Sequence, residues 1–565
     1  MSNCESKYSQ PHQLYFVVFC NLYKSTSQPA INIHSTMLVF LGIFAALCAL
    51  VYGYFWNRSQ FFAKRGIPGP KPTSVFSGNL LELQDNRSPF NGSFLRWEKE
   101  YGKTFGYLEG GQKVVCTSDV DILADVFSRK FECFHSRKPI HPFPFNPDKD
   151  PRANVFTARG LRWKRLRGLT QPSFTNGKLR MMQATMKDTT LHLIRMLESL
   201  EGKRVNMCKW FLEASTDVIE RIAFGKESSG IGKEPNPVSS LIRSFFNPAP
   251  FITNPIINFY VGTFEFQDWT IYFHKILIKI IGSPLTILGE QLVKTIQKRR
   301  QRGPPAEDDQ SRDFIDLFLS SEAADQTEKT QLTQQNQDEL TKTHVRVEKK
   351  LTDQEIVSMC SVLMLAGVDT TATAMSLLCY HLATHEDVQQ TLVQEIDDSI
   401  VQEDDINMDN VNNMKYLDWC IKESLRIRPL AAGANSRICM KTCEVGPKNL
   451  LIEEGMTVVA NVFSIHRDPE LWGEDADKFV PERWEPSADR IPKHPFAYQP
   501  FGAGPRTCIG QRFALLEMKL IFCQLLKKFT IEKCDKTKCE MSGIIVCAPS
   551  DVNVVLKRRS NLDSD

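Results

Sequence analysis

The chain has 565 residues, 42% of them apolar, and a formal net charge of only +3. A chain of this length can bury a large core, and length alone would allow several domains. The small charge and the absence of zinc-finger or phosphate-loop patterns argue against a nucleic-acid partner. None of the sixteen cysteines forms a C-x-x-C pair. This spacing predicts reduced thiols facing the cytosol, without a disulfide framework or a structural zinc site.

The N-terminal part of the chain predicts a membrane anchor. Residues 1–36 contain no arginine, which argues against a mitochondrial transit peptide, and we assign this extension no function. Residues 37–56 carry no charged side chain, and twenty helical residues span about 30 Å, the apolar thickness of a bilayer. Basic residues follow this segment directly, namely Arg58, Lys64, Arg65 and Lys71. We therefore predict a transmembrane signal anchor with the remaining chain in the cytosol.

Residues 57–74 form a basic and proline-rich elbow. Its segment GIPGPKP, residues 66–72, has three prolines and two glycines and cannot continue a helix. It is either a stiff elbow that orients the next domain against the membrane, which we favour, or an arbitrary linker. Residues 75–565 are predicted to form one mainly helical domain, with short strands at 113–118 and 456–462.

Two further segments are notable for their composition. Residues 328–350 are polar and predict a solvent-exposed connection between two helices. Residues 245–269 are rich in aromatic residues and proline. This second segment is either part of the core or an apolar surface that dips into the bilayer near a substrate entrance.

The segment RWKRLR, residues 162–167, places several basic residues close together. Arg162, Lys164 and Arg165 form either a solvated helix face or a basic surface for an acidic redox partner.

The segment AGVDTT, residues 366–371, lies within a long apolar run that begins with a capping-box pattern at Thr352 and Glu355. The run predicts an unusually long helix, in which glycine and β-branched residues are locally unfavourable. The threonines could bond back to the helix beside an exposed aspartate. Alternatively, a local distortion over a pocket could hold a hydroxyl, an acid and water, and this interpretation explains more.

The segment KESLRIRP, residues 422–429, places Glu423 and Arg426 three residues apart on one helix face. On a surface, such a pair would contribute only a few tenths of a kcal/mol.

The segment FGAGPRTCIG, residues 501–510, surrounds Cys508 with glycines and an arginine. A helix follows, with Phe513, Leu516 and Leu520 on one face. Backbone N–H groups and the helix dipole at this junction would stabilise a thiolate. This segment contains only one cysteine, so a metal bound there would need its other ligands from another source. A haem supplies four nitrogens and needs one axial protein ligand.

This last segment resembles the haem-binding signature of the cytochrome P450 family, F-x-x-G-x-R-x-C-x-G. Its fixed positions are matched by Phe501, Gly504, Arg506, Cys508 and Gly510. The resemblance covers roughly residues 65–565. In the segments WKRLRGLTQPSFTNGKL and HRDPELW it is strongest to the clan of animal microsomal enzymes that includes the drug- and steroid-oxidising group. It implies the cytochrome P450 fold, mainly α with small β-sheets, and haem b (iron protoporphyrin IX) with Cys508 as its axial ligand.

The resemblance also implies roles for individual residues. Asp369 and Thr370 correspond to the acid–alcohol pair that delivers protons during oxygen activation, and Gly367 would leave room for the ligand. The expected haem contacts are Trp163, Arg167, Arg437, Arg506 and Phe501. A buried network that holds the Cys508 loop is expected from Glu423, Arg426 and Arg483, the last from the segment FVPERW.

The function implied is that of a haem-thiolate monooxygenase at the endoplasmic reticulum membrane, with its catalytic domain facing the cytosol. It would insert one oxygen atom from O2 into an apolar xenobiotic, steroid or fatty-acid-like substrate. Electrons from NADPH would arrive through NADPH–cytochrome P450 reductase, with cytochrome b5 as a second donor. A haem-thiolate isomerase is disfavoured by the intact pair Asp369 and Thr370. A gas-sensing haem protein is disfavoured because no fused signalling domain is visible.

Overall fold

The computed structural model divides into two compact units, Met1–Gln60 and Phe61–Asp565. The residues that it describes are 33–83, 90–138, 146–233, 236–246, 284–303, 313–323, 351–488, 490–543 and 546–559. The first 32 residues and the whole predicted connection at 328–350 lie outside this part of the chain. Of the segment 245–269, only the backbone of the first two residues is described.

The first unit contains helix α1, Ile33–Ser59. Its segment Met37–Ser59 is long and apolar enough to cross a membrane, and its apolar side chains other than Phe55 are exposed. A helix that is apolar on all sides and not buried in protein is typical of a membrane span. The helix extends the predicted segment 37–56 by one turn at each end.

The second unit is mainly helical. Its α-helices are α2 Leu80–Leu83, α3 Phe90–Tyr101, α4 Val120–Ala124, α5 Gly160–Thr170, α6 Asn176–Glu198, α7 Met207–Phe224, α8 Pro237–Phe246, α9 Pro284–Arg302, α10 Phe314–Ala323, α11 Asp353–Thr384, α12 Glu386–Ser399, α13 Met408–Asn413, α14 Lys415–Ile427, α15 Val462–Ile465, α16 Pro469–Trp472 and α17 Gln511–Lys528.

The strands are short and form small sheets. They are β1 Thr104–Glu109, β2 Gln112–Thr117, β3 Arg204–Asn206, β4 Ser436–Ile438, β5 Cys443–Val445, β6 Leu450–Ile452, β7 Thr457–Ala460, β8 Phe529–Lys533, β9 Met541–Ser542, β10 Ala548–Pro549 and β11 Asn553–Arg558. The largest sheet has the order β1-β2-β7-β4, with β2 and β7 parallel and the other neighbours antiparallel. The predicted strands at 113–118 and 456–462 are its members β2 and β7.

Helix α11 forms the centre of the helical core. Thr352 accepts a hydrogen bond from the Glu355 backbone, and the Glu355 carboxylate accepts one from the Thr352 backbone. The predicted capping box is therefore confirmed. The helix runs for 32 residues, and most of its side chains are buried against α7, α14 and α17. The long apolar sequence of α11 is therefore explained by the burial of its side chains in the core.

The elbow packs against the largest sheet. The Gly106 backbone N–H on β1 donates to the Pro68 carbonyl at 2.8 Å. A Cβ on Gly69 would lie 1.9 Å from the Gly106 carbonyl oxygen. Glycine is therefore required at position 69 for this close approach. Residues 67–69 belong to the second unit. The orientation of that unit against a membrane stays a prediction.

Candidate active site

The Cys508 loop follows a path that requires glycine at two positions. Gly502 and Gly504 have φ angles of 74° and 70°, in the left-handed region that glycine adopts without strain. A Cβ on Gly504 would also lie only 1.9 Å from the Phe127 carbonyl oxygen. The Cys508 backbone N–H donates to the Phe501 carbonyl at 2.9 Å, and α17 begins three residues later. The loop therefore presents Cys508 directly before a helix, as predicted.

The Cys508 thiol is accessible although protein surrounds it. Burial raises the pKa of Cys508, and the backbone N–H groups of Gly510 and Gln511 and the charges of Arg137 and Arg167 oppose this rise. The groups expected to stabilise a thiolate are thus present, but they lower the pKa of Cys508 by less than desolvation raises it. A bound metal ion would reverse the balance, because a coordinating thiol loses its proton outright.

Four arginines converge around this loop. Arg167 donates to the Thr507 carbonyl at 2.7 Å, and Arg137 donates to the Arg506 carbonyl at 2.7 Å. Arg437 reaches the Ala503 carbonyl at 3.4 Å, and Arg506 donates to the Ala158 carbonyl. Backbone carbonyls are the acceptors in each case. The four side chains therefore hold the loop without neutralising their own charges.

The charge of this arginine cluster is unbalanced. Within the described part of the chain, none of the four arginines has a carboxylate at ion-pair distance, and Nε of Arg137, Arg437 and Arg506 lacks a hydrogen-bond partner. Burial and mutual repulsion lower the pKa of Arg437 and Arg506 well below the usual value. Unpaired buried charges are costly, so the cluster is suited to an anionic group. The two propionates of a haem fit this requirement.

Aromatic rings support three of these guanidinium groups. Arg506 lies 4.6 Å from the centroid of the Trp163 ring, and Arg437 lies 4.5 Å from that of Phe127. Arg137 lies over the ring of Phe156 at 4.3 Å. Cation–π contacts of this kind fix the guanidinium planes. Trp163 therefore positions Arg506, in addition to its expected contact with haem.

Arg137 is a site residue that the sequence analysis missed. It has no motif of its own, and its position depends on the pairing of Ser136 with Ile438 at the end of β4. This pairing joins segments about 300 residues apart, so no local pattern could have indicated it. The one feature of the sequence that could have indicated Arg137 is its position beside a lysine and before a proline-rich stretch.

The network expected around Glu423 is present and fully buried. Arg426 donates to the Glu423 carboxylate through Nε at 2.8 Å and Nη2 at 2.7 Å, and Arg483 donates through Nε at 3.3 Å. All three side chains have an exposed fraction of 0%. The alternative of a weak surface pair is therefore wrong.

A histidine connects this network to the Cys508 loop. His466 Nδ1 donates to the Arg426 carbonyl at 3.0 Å, and His466 Nε2 accepts from the Gln499 backbone N–H at 2.9 Å. The Gln499 carbonyl in turn accepts from the Gly502 N–H at 3.1 Å. Burial lowers the pKa of His466 to about 3, so the ring is neutral, as one donor and one acceptor nitrogen require. The sequence analysis did not single out His466.

The segment around Asp369 combines features of both interpretations. The Thr370 hydroxyl donates to the Ala366 carbonyl, and α11 remains α-helical here, so the expected distortion is absent. Asp369, however, is only 8% exposed, which contradicts the alternative of an exposed aspartate. Burial raises the pKa of Asp369 to about 6, opposed by the charge of Arg243. No described residue donates a hydrogen bond to its carboxylate.

A Cβ on Gly367 would lie 2.8 Å from Cδ1 of Ile219, so this glycine makes room for α7 as the packing partner of α11. Its expected role of leaving room for a ligand stays a prediction. The expectation of a basic surface at Arg162 and Arg165 needs correction. Arg162 and Arg165 both pair with the buried carboxylate of Glu355. They therefore stabilise the start of α11 and do not form a free basic surface for a redox partner.

Metal binding elsewhere finds no support in the described residues. Nine of the fourteen cysteines in this part of the chain are buried, as is typical of free cysteines that pack as small apolar residues. No group of three or more His, Cys, Asp or Glu side chains is arranged there to hold a metal ion.

An accessible cysteine beside a cluster of arginines without carboxylate partners suits a haem held by one thiolate. The chain matches the family described as Cytochrome P450 over residues 68–554. It is 35% identical over 526 residues to the putative cytochrome P450 CYP13A8 of Caenorhabditis elegans, covering 91% of this chain and 99% of that protein. Identity to the putative cytochrome P450 CYP13A2 of the same organism is 34% over 530 residues, covering 93% and 98%.

The chain therefore belongs to the cytochrome P450 family. It is a monooxygenase of the oxidoreductase class, with the fold of that family and a haem held by a cysteine thiolate.

Replacing Glu423 with glutamine should strongly destabilise the protein, because the buried Arg426 loses its counter-charge and Arg483 keeps only Asp475. Removing one partner of a buried pair costs about 3–5 kcal/mol. Chemical denaturation of the holoenzyme measures this loss, and the yield of haem-loaded protein should fall with it. Glu453→Gln is the matched control, because its pair with Arg65 is more than a third exposed and should contribute at most about 1 kcal/mol. Equal effects of the two variants would contradict the network's role.

Proposed function

We propose that this chain is a haem-thiolate monooxygenase of the endoplasmic reticulum membrane with Cys508 as the axial ligand. It inserts one oxygen atom from O2 into an apolar small molecule. The single observation that carries the proposal is the accessible Cys508 thiol beside four arginines without carboxylate partners. When bound, the haem supplies the oxygen-activating redox chemistry.

The residues around Cys508 have separate tasks in this proposal. Cys508 would hold the haem iron as a thiolate, and Phe501 anchors the loop through its carbonyl. Arg137, Arg167, Arg437 and Arg506 bind the propionates, for which guanidinium groups have matching geometry. Because these arginines already hold the loop by its carbonyls, the propionates and the thiolate ligand are positioned by the same side chains.

Asp369 and Thr370 are the proposed proton donors. With a pKa of about 6, Asp369 exists in both protonation states near neutral pH, as a general acid requires. Its carboxyl has no fixed partner among the described residues, so it is free to exchange a proton with water. The Thr370 hydroxyl donates to the Ala366 carbonyl, so it must release that carbonyl before it can donate a proton, while its oxygen lone pairs can accept a hydrogen bond.

The electron donor is proposed from chemistry. The sequence has no nucleotide-binding fingerprint, so NADPH-derived electrons come from NADPH–cytochrome P450 reductase, with cytochrome b5 as a second donor. Cytochromes P450 generally use such redox partners and apolar substrates. We extend this to an apolar xenobiotic, steroid or fatty-acid-like substrate, and to a catalytic domain that faces the cytosol behind α1.

Replacing Cys508 with alanine should remove the thiolate ligand, because a methyl group cannot coordinate iron. The measurement is the difference spectrum of the reduced, carbon-monoxide-bound protein in membranes. The wild type should give the strongly red-shifted Soret band of a thiolate-ligated haem, and the variant should lack it. Cys534→Ala, at a half-buried cysteine after β8, should keep the band. A red-shifted band in Cys508→Ala would overturn the assignment.

Replacing Asp369 with asparagine should slow turnover and stabilise the fold above neutral pH. The pKa rises from 3.8 to about 6 on folding, so stability falls as pH rises from about 4 to 6 and stays reduced above that. Asparagine stays neutral and avoids this loss, worth about 3 kcal/mol. Activity should fall roughly 10²-fold.

Denaturation at pH 4 and pH 8, beside NADPH-dependent turnover, tests both effects of Asp369→Asn. The exposed Asp398 on α12 provides the control variant Asp398→Asn, which should change neither quantity. Unchanged turnover in Asp369→Asn would contradict its role as a proton donor. Turnover without NADPH would instead support an isomerase.

Removing residues 1–56 should release the protein from membranes at least in part, because most of the apolar surface of α1 is lost. Sedimentation of membranes measures the released fraction. Removing residues 1–36 alone leaves the apolar span intact and should keep the protein attached. Complete retention of the longer truncation would contradict a sole anchor and point to residues 245–269 as a second contact.

A further inference from the structure

A second group of basic side chains lies where the end of α11 meets the segments that follow α14 and α15. His381 is in the last turn of α11, Arg428 follows α14 directly, and Arg467 comes two residues after α15. The hydrogen bond between His466 and the Arg426 carbonyl joins the two segments. The Arg428 guanidinium lies 5.5 Å from the centroid of the Tyr380 ring, next to His381. The three basic side chains are therefore close neighbours.

These side chains present donors without acceptors. Arg428 Nε, Arg467 Nη1 and both ring nitrogens of His381 are buried and have no hydrogen-bond partner, and the same is true of Ser424 Oγ. His381 is only 4% exposed. Arginine can only donate, and neutral histidine and serine each have one hydrogen to donate. Native proteins rarely leave such groups unsatisfied unless a water or an ion occupies the space.

The charge around the group is positive. Burial, together with repulsion from Arg428 and Arg426, lowers the pKa of Arg467 to about 9, and the charge of Asp477 opposes this change. Asp477 is exposed and forms no ion pair with Arg467 among the described residues. Burial and the charge of Arg428 also keep the pKa of His381 well below its usual value. The group therefore combines two cations with a neutral histidine.

Aromatic contacts fix the positions of these donors. The His381 ring stacks on Phe479 with a centroid distance of 4.4 Å and an interplanar angle of 6°. The Arg467 guanidinium lies 3.7 Å from the centroid of the Phe463 ring. Neither side chain can easily turn toward a distant acceptor. A ligand must therefore come to the donors.

We propose that Arg428, Arg467 and His381 bind a chloride-sized anion, with Ser424 as a further donor. A water molecule accepts about two hydrogen bonds, which is too few for four donor side chains. A monatomic anion accepts from all of them and neutralises one of the two cations. The wholly buried donor atoms favour a small ion over phosphate or a larger carboxylate. The site is separate from Cys508, and its role is to stabilise the junction of α11, α14 and α15.

The test measures thermal unfolding of the full-length holoenzyme in detergent, with chloride replaced by gluconate at constant ionic strength. Above the dissociation constant, each tenfold increase in chloride should raise the ratio of folded to unfolded protein up to tenfold. Arg467→Gln should lose this dependence, whereas Arg302→Gln, at an exposed position at the end of α9, should keep it. His381→Glu provides an internal anion and should abolish the dependence.

A chloride dependence that is equal in the wild type, Arg467→Gln and His381→Glu would reflect a general salt effect and overturn the proposal. If Arg467→Gln does not fold, crystals of the wild type soaked in bromide decide. An anomalous peak in contact with Arg428 Nε and Arg467 Nη1 supports the site. Absence of that peak overturns it. Neither result bears on haem binding, which the carbon-monoxide spectrum reports separately.

Discussion

The structure depends on one buried carboxylate. Glu423 pairs with both Arg426 and Arg483 in a region without solvent, and Asp475 is a second partner of Arg483. The two arginines use their remaining N–H groups to bind backbone carbonyls. Arg483 reaches the carbonyls of Trp472 at 2.6 Å and Asp475 at 2.9 Å, and Arg426 reaches that of Lys478 at 3.0 Å. An irregular segment that lacks a ladder of its own thereby obtains hydrogen-bond partners. Its other end, at Gln499, leads into the Cys508 loop.

The chain uses buried arginines in two contrasting ways. Around Glu423 their charge is balanced from within the protein, and the result is a rigid support. Around Cys508 the four arginines have only carbonyl acceptors in the described structure, and their repulsion is left uncompensated. Because a buried charge is stable only when it is paired, the second arrangement favours binding of an anionic cofactor. The same reasoning, on a smaller scale, applies to Arg428 and Arg467.

Helix α11 shows how stability and function share one element. Its capping box, its pairing with Arg162 and Arg165 through Glu355, and its contact with α7 at Gly367 hold it straight within the core. Asp369 is carried into this apolar setting by the helix and has its pKa raised there. A less buried helix would leave an aspartate with an ordinary pKa, ionised at neutral pH and of little use as an acid. The unfavourable burial is therefore consistent with the proton-donor role that we propose.

The sequence by itself determined the features that depend on local chemistry. Uninterrupted apolar residues specify α1, the Thr352 and Glu355 pattern specifies the start of α11, and glycines at 502 and 504 specify the loop of Cys508. The motifs also identified the family. Outside the recognised motifs, tertiary structure alone decided which charges are paired. The sequence predicted an exposed basic face at Arg162 and Arg165, whereas the structure pairs both with Glu355. The roles of Arg137 and His466 depend on contacts between segments that are distant in the chain. Burial and pairing arise from contacts between residues far apart in the chain, so local patterns cannot report them.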